Sequence, residues 1–179
     1  RNDANAAVLA EYTFGASAPD LMLVRIGRGV GAGLITGGEP LLGRRYAAGE
    51  IGHVVVGTDH GPLCPCGRYG CLEAWVNVPR LEALIATNPD ATTEVLRDAG
   101  ARLAIGIAPI VAALDLSEVV LVGPRALLDG EFVLAATETL HARTLEGVFA
   151  DVSIRRTHLD DIVLRGAAVM VLSGQLGVS

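Results

Sequence analysis

The sequence predicts an α/β fold, on three observations. Hydrophobic residues are 51% of the 179-residue chain but aromatics only 4%, so the interior must be built from Ala, Val, Leu, Ile and Gly. Short apolar runs bounded by glycine alternate with longer stretches of helical character, the pattern of a sheet covered by helices. No repeat, low-complexity tract or linker interrupts that alternation, so residues 1–179 read as a single domain.

The elements follow in order. "NDANAAVLAEYTFG" reads as a helix capped by Asn2 or Asp3 and closed at Gly15. Leu21–Gly27 is a near-continuous apolar run, as in a buried strand. Gly27, Gly29, Gly31 and Gly33 then fall at every second position before a Gly37-Gly38 turn, which suggests a tight hairpin with bare backbone on one face. His53–Gly57 reads as another short strand. Helices are expected at Pro79–Ala86, with proline in the first turn, and at Thr92–Leu114 despite Pro109. Glu118–Gly123 is a strand and Glu131–Phe149 a helix. "VSIRRT" is a short strand, and a helix capped by Asp160 or Asp161 closes the chain.

Charge and composition exclude several classes. The net charge is −6, and all 14 basic residues are arginine, so a nucleic-acid surface with its basic stripe is not expected on this segment. No apolar run reaches membrane-spanning length: Ile105–Leu114 is interrupted by Pro109 and followed by Asp115. No export signal is evident, which points to the cytoplasm, and the chain opens without methionine at "RNDANAAVLAEY", as a piece of a longer protein would.

"GPLCPCGRYGCLEAW" concentrates all three cysteines, Cys64, Cys66 and Cys71, in one loop of glycine and proline. Three thiols cannot all pair in disulfides, and Cys64 and Cys66 are poorly placed to bridge across one proline. Buried structural cysteines favour helices and strands over such a loop. Metal binding is the better reading, and Zn2+ suits three thiolates and one imidazole. Gly67 and Gly70 would let the chain fold back on the ion. By spacing alone the fourth ligand is either His53 or His60.

The stretch from Ala48 to Trp75 resembles the signature of the ROK family of bacterial repressors and sugar kinases: Glu-x-Gly-His, then Cys-x-Cys-Gly-x-x-Gly-Cys-x-Glu. It matches at Glu50, Gly52, His53, Cys64, Cys66, Gly67, Gly70, Cys71 and Glu73. "NDANAAVLAE", "GRGVGAGLI" and "LRGAAVMVL" resemble further family segments. The resemblance implies an actin-like, ribonuclease H-like sugar-kinase lobe with a mixed sheet and a zinc-binding loop, the larger C-terminal lobe of a two-lobed protein. It implies His53 as the fourth ligand, leaving His60 a passenger of the loop. It also implies sugar contacts from Asn2, Asp3, Glu50, His53 and Glu73, whose carboxylates and amide would accept from sugar hydroxyls. Without the resemblance, Asp3 would be a helix cap, Glu50 and Glu73 surface carboxylates, and the alternate glycines a device for close packing.

In the kinases of the family, the residue matching Asp3 is a general base, and ATP with Mg2+ lies near glycines matching Gly27, Gly29 and Gly31. This chain departs there. Arg28 stands where the kinases have threonine, and Pro124 stands where they usually carry glycine. The expectation is therefore a sugar-sensing effector domain of a repressor, with DNA contacted by a preceding helix-turn-helix domain. An ATP-dependent sugar kinase is the alternative. Family members are commonly dimers or tetramers, which the resemblance extends to this chain.

Overall fold

The computed structural model describes residues 3–57 and 60–176, with side chains through residue 172. Five strands form one mixed sheet in the order β3-β2-β1-β4-β5. They are β1 (Leu21–Ile26), β2 (Val30–Thr36), β3 (Glu39–Pro40), β4 (Glu118–Val122) and β5 (Ser153–Arg156). β1 pairs antiparallel with β2 and parallel with β4, and β4 runs parallel to β5. Among the described residues the helices are α1 (Asp3–Phe14), α2 (Leu72–Val76), α3 (Val78–Thr87), α4 (Thr92–Leu114), α5 (Arg125–Leu128), α6 (Glu131–Arg143) and α7 (Ile162–Leu176). None of them is long and apolar enough to cross a membrane.

The apolar run of β1 lacks a polar alternation because both faces are covered. Met22, Val24 and Ile26 point into the larger core, with Leu103 and Ile107 of α4 and Phe132 of α6. Leu21 and Leu23 point the other way, against Ala7 and Val8 of α1 and Ile162 of α7. The molecule is therefore three layers deep, with β1 at its centre.

Close approach explains two glycines. A Cβ on Gly33 would sit 2.7 Å from Val8 Cγ1 and would overlap the Ala4 carbonyl, so part of the alternate-glycine pattern serves to seat α1 on β2. A Cβ on Gly166 would overlap the Ala6 carbonyl, where α7 crosses α1. Gly166→Ala is expected to cost on the order of 1–3 kcal/mol by overpacking, visible as a lower urea midpoint at unchanged m-value.

Several expectations need correction. His53–Gly57 is not a strand. Ile51–His53 form a 3-10 turn, and only Val55 bridges, to Cys71. Val54 and Val55 are half exposed, lying against the cysteine loop rather than the sheet. The helix expected over 131–149 stops at Arg143, where Thr144 turns extended and its hydroxyl donates back to the Leu140 carbonyl. Asp3 is the first helical residue of α1, and Asn2, the other capping candidate, lies outside the described residues. α7 starts directly after Asp161, whose φ is +50°. Thr92–Leu114, Leu21–Ile26 and the Gly37-Gly38 turn, with φ of +57° and +81°, match their expected positions.

Candidate metal centre and its surroundings

The cysteine loop is built on a small backbone ladder. The Val56 amide donates to the Gly70 carbonyl at 2.9 Å and the Leu72 amide to the Val54 carbonyl at 2.8 Å. This zips residues 54–56 onto 70–72 and delivers His53 to the thiols. Within the loop, the Cys64 amide donates to the Arg68 carbonyl at 2.8 Å and the Gly67 amide to the Cys64 carbonyl at 2.9 Å. Gly67 and Gly70 have φ of +89° and +75°, the left-handed conformation that such a reversal requires.

The ligand atoms of His53, Cys64, Cys66 and Cys71 all lie within 4.8 Å of one another. His53 Nδ1 is 3.7 Å from Cys64 Sγ, and Cys66 Sγ is 3.7 Å from Cys71 Sγ. Three sulfurs and one imidazole nitrogen at this spacing are a donor set that fits a tetrahedral, borderline-soft cation. His60 is not part of the group; its ring meets Tyr69 edge-on at 5.5 Å. Spacing left the two histidines equivalent, and the ladder separates them.

The thiols differ in environment. Burial pushes the Cys71 thiol up to about 12 and raises that of Cys64. A backbone hydrogen bond at Arg68 holds the exposed Cys66 thiol below its ordinary value. In the metal-free protein at neutral pH, Cys64 and Cys71 therefore carry protons that a metal must displace. Metal uptake at pH 7 is expected to release about two to three protons per chain, measured with a pH indicator in weak buffer. The sign follows: apparent affinity rises with pH and falls in acid.

Glu73 adjoins the cluster. It sits in the first turn of α2, immediately beyond Cys71 at the helix start. Its Oε1 is 3.9 Å from Cys64 Sγ, while Oε2 accepts from the Val30 amide at 3.0 Å. A Cβ on Gly29 would stand 3.1 Å from that same oxygen. Glu73 thus ties the cysteine loop to the turn between β1 and β2. The Gly27 amide closes that turn on the Gly29 carbonyl at 2.9 Å, and the Gly27 carbonyl accepts from the Val78 amide at the head of α3. Arg28, at the turn's tip, is exposed.

Of the remaining candidates among the described residues, Asp3, Glu50 and Gly31 lie at the same end of the sheet, beyond the carboxyl ends of the parallel strands β1 and β4, where open α/β sheets bind ligands. Glu50 is exposed and leads the 3-10 turn ending in His53. That turn is pressed against β2, because a Cβ on Gly52 would overlap the Val30 carbonyl. Gly31 lies opposite Arg25 in the sheet. Asp3 faces Arg25 across 3.9 Å, both partly exposed. Sequence reasoning missed Arg25, a charge within an otherwise apolar strand, which was the available signal. Pro124 precedes α5 directly.

A family model for the ROK family matches residues 1–173. The N-acetylmannosamine kinase of Yersinia pestis (strain Pestoides F) is 34% identical over 94% of this chain and 62% of its own length. The chain therefore spans about three fifths of the curated relatives it matches. Among solved structures, a ROK family transcriptional regulator described as a homologue of the E. coli MLC protein superposes with a TM-score of 0.82. It is 21% identical over 94% of this chain and 50% of that one. A ROK hexokinase from Thermus thermophilus has a TM-score of 0.76, with 32% identity over 94% of this chain and 65% of the hexokinase. A ROK glucokinase from Streptomyces griseus, in complex with glucose and AMPPNP, has a TM-score of 0.75, with 23% identity over 95% and 66%. The sheet, its covering helices and the cysteine loop accord with the actin-like sugar-kinase fold of that family.

Proposed function

Because the chain belongs to the ROK family, we propose that it is the larger lobe of a sugar-responsive regulator. In this reading it binds a hexose, a pentose or a derivative without phosphorylating it. The observation that carries the reading is the turn between β1 and β2, which would have to hold a nucleotide: there Arg28 puts a bulky exposed cation where the kinases of the family have a threonine hydroxyl. Pro124 adds to this by removing a backbone N–H where α5 begins.

In this proposal Asn2, Asp3, Glu50, His53 and Glu73 accept from or donate to sugar hydroxyls, and His53, Cys64, Cys66 and Cys71 hold Zn2+. The ion would supply rigidity and charge rather than a reaction step. His53 turns Nδ1 toward the thiols; with that nitrogen on a metal, Nε2 must carry the proton and is a fixed donor to a sugar oxygen. Glu73 is positioned by the same loop. Sugar binding would alter DNA affinity only through unequal affinity for two conformations of the whole protein, whose DNA-reading part would be a separate domain. The assembly would be a homodimer or homotetramer in the cytoplasm.

A second reading, an ATP- and Mg2+-dependent sugar kinase, is favoured by the 34% and 32% identities to kinases of this family. There Asp3 is the general base, and Gly27, Gly29 and Gly31 approach the phosphates. Incubating the full-length protein with ATP, Mg2+ and a panel of hexoses and N-acylhexosamines decides between them. The expected result is saturable sugar binding with no sugar phosphate or ADP formed. Turnover that falls at least about 100-fold on Asp3→Asn would overturn the regulator and establish the kinase.

A further inference from the structure

We propose that Cys66 is a site of oxidation by peroxide, with Cys71 as its resolving partner, so that the loop holding the metal converts to a disulfide and releases the ion. This rests on the reading that the cluster binds a metal, and it adds a means of regulating that site.

Three features of the loop single out this pair. Cys66 is the exposed thiol of the three, whereas Cys64 and Cys71 are 1% and 0% exposed. Its sulfur already lies 3.7 Å from that of Cys71, against about 2.05 Å in a disulfide. The movement required falls on the side able to make it. Cys71 is fixed at the start of α2 by the bond from the Leu72 amide to Val54. Cys66 lies in an exposed tip beside Gly67, around whose Cα there is open space. Cys64 is excluded as the partner of Cys66 because only Pro65 separates them.

The chemistry closes without a further reactant. The Cys66 sulfur attacks one peroxide oxygen; the S–O bond forms, the O–O bond breaks and hydroxide departs with the electron pair, taking up a proton to become water. Cys66 is then a sulfenic acid. The Cys71 sulfur attacks the Cys66 sulfur; the S–S bond forms, the S–O bond breaks and water leaves with the Cys71 proton. Overall, two thiols and one peroxide give a disulfide and two waters. With two of its four donors consumed, the site no longer closes around a cation. The tip carrying Cys66 is then drawn onto the start of α2, in whose first turn Glu73 sits.

The test uses full-length protein, reduced and carrying its metal, exposed to hydrogen peroxide at one to ten equivalents. Zinc release is followed with a chromogenic chelator, and the thiols of the loop are mapped by peptide mass spectrometry before and after dithiothreitol. The expected result is a Cys66–Cys71 cross-link that appears in step with zinc release and disappears on reduction. Retention of zinc at ten equivalents, or a Cys66 that proceeds to sulfinic acid without a cross-link, would overturn the proposal. Metal analysis of the untreated protein judges the underlying reading separately, because metal-free protein can still be mapped for the Cys66–Cys71 pairing.

Discussion

Cys71→Ser is expected to strip the protein of its metal and to weaken sugar binding with it. Cys71 has three duties in one place. It offers a sulfur 3.7 Å from Cys66 Sγ, it bridges to Val55, and it begins the helix that carries Glu73. Serine keeps the backbone roles but is a far weaker ligand for a soft cation. Metal content should fall from one equivalent to near zero after dialysis. With the ion gone, the imidazole of His53 keeps only its weak 3.7 Å contact with Cys64 Sγ, and no metal sets its tautomer. Loss of such support typically costs 10–100-fold, so sugar affinity measured by calorimetry should drop by about that factor. Thermal stability should drop as well, by roughly 5–10 °C, as expected when a ligand bound only by the folded state is removed. Unchanged sugar affinity in the metal-free variant would mean that the cysteine loop does not shape the pocket. The wild-type protein stripped by a chelator provides the control, and zinc should restore it but not the variant.

The second large effect lies far from the metal. Glu11, in the middle of α1, is 1% exposed yet charged. Its Oε1 accepts from Arg155 Nη2 at 2.9 Å and from the Ser17 hydroxyl at 3.3 Å, and its Oε2 accepts from the Thr157 hydroxyl at 2.6 Å. Arg155 also donates through Nε to Glu118 at 2.6 Å. Burial would lower the guanidinium's pKa, but the bonds to Glu118 and Glu11 outweigh it and hold Arg155 above its ordinary value. One cation thus joins α1, β4 and β5. Arg155→Met leaves Glu11 buried without its counter-charge, and breaking a buried pair from one side costs about 3–5 kcal/mol. The variant should unfold at a markedly lower urea concentration. The double variant Arg155→Met with Glu11→Gln should recover a good part of the loss, since the buried charge is then gone. A single variant within about 0.5 kcal/mol of wild type would show that the network contributes little.

What the sequence revealed and what it hid divide along a physical line. Local periodicity and punctuation were readable: the unbroken apolar run of β1, the 23 residues of α4 and the Gly37-Gly38 turn fall where they were expected. The cysteine spacing pointed to the loop whose donors fit a metal ion, but the choice between His53 and His60 depends on backbone pairing between 54–56 and 70–72, which no spacing rule contains. The run His53–Gly57 misled because β-branched residues were taken for a sheet strand when they cover a loop. The helix over 131–149 was read too long because the stop is tertiary and local at once: a back-bonded Thr144 and a left-handed Gly147. Glu11 was silent because a glutamate in an alanine-rich helix looks solvent-facing, and its cation lies 144 residues away. Arg25 was legible as an anomaly, yet its meaning required the ion pair with Asp3.

Gly166 leaves no space between α7 and the Ala6 carbonyl, and Gly33 leaves none between α1 and β2 on the opposite flank. The helix bearing Asp3 is thus clamped between the final helix and β2, and Glu73 is hitched through Val30 to that same strand. Both carboxylates are mounted on one strand, so a tilt of α7 that carried α1 with it would have to break the Gly33 contact before it could part them.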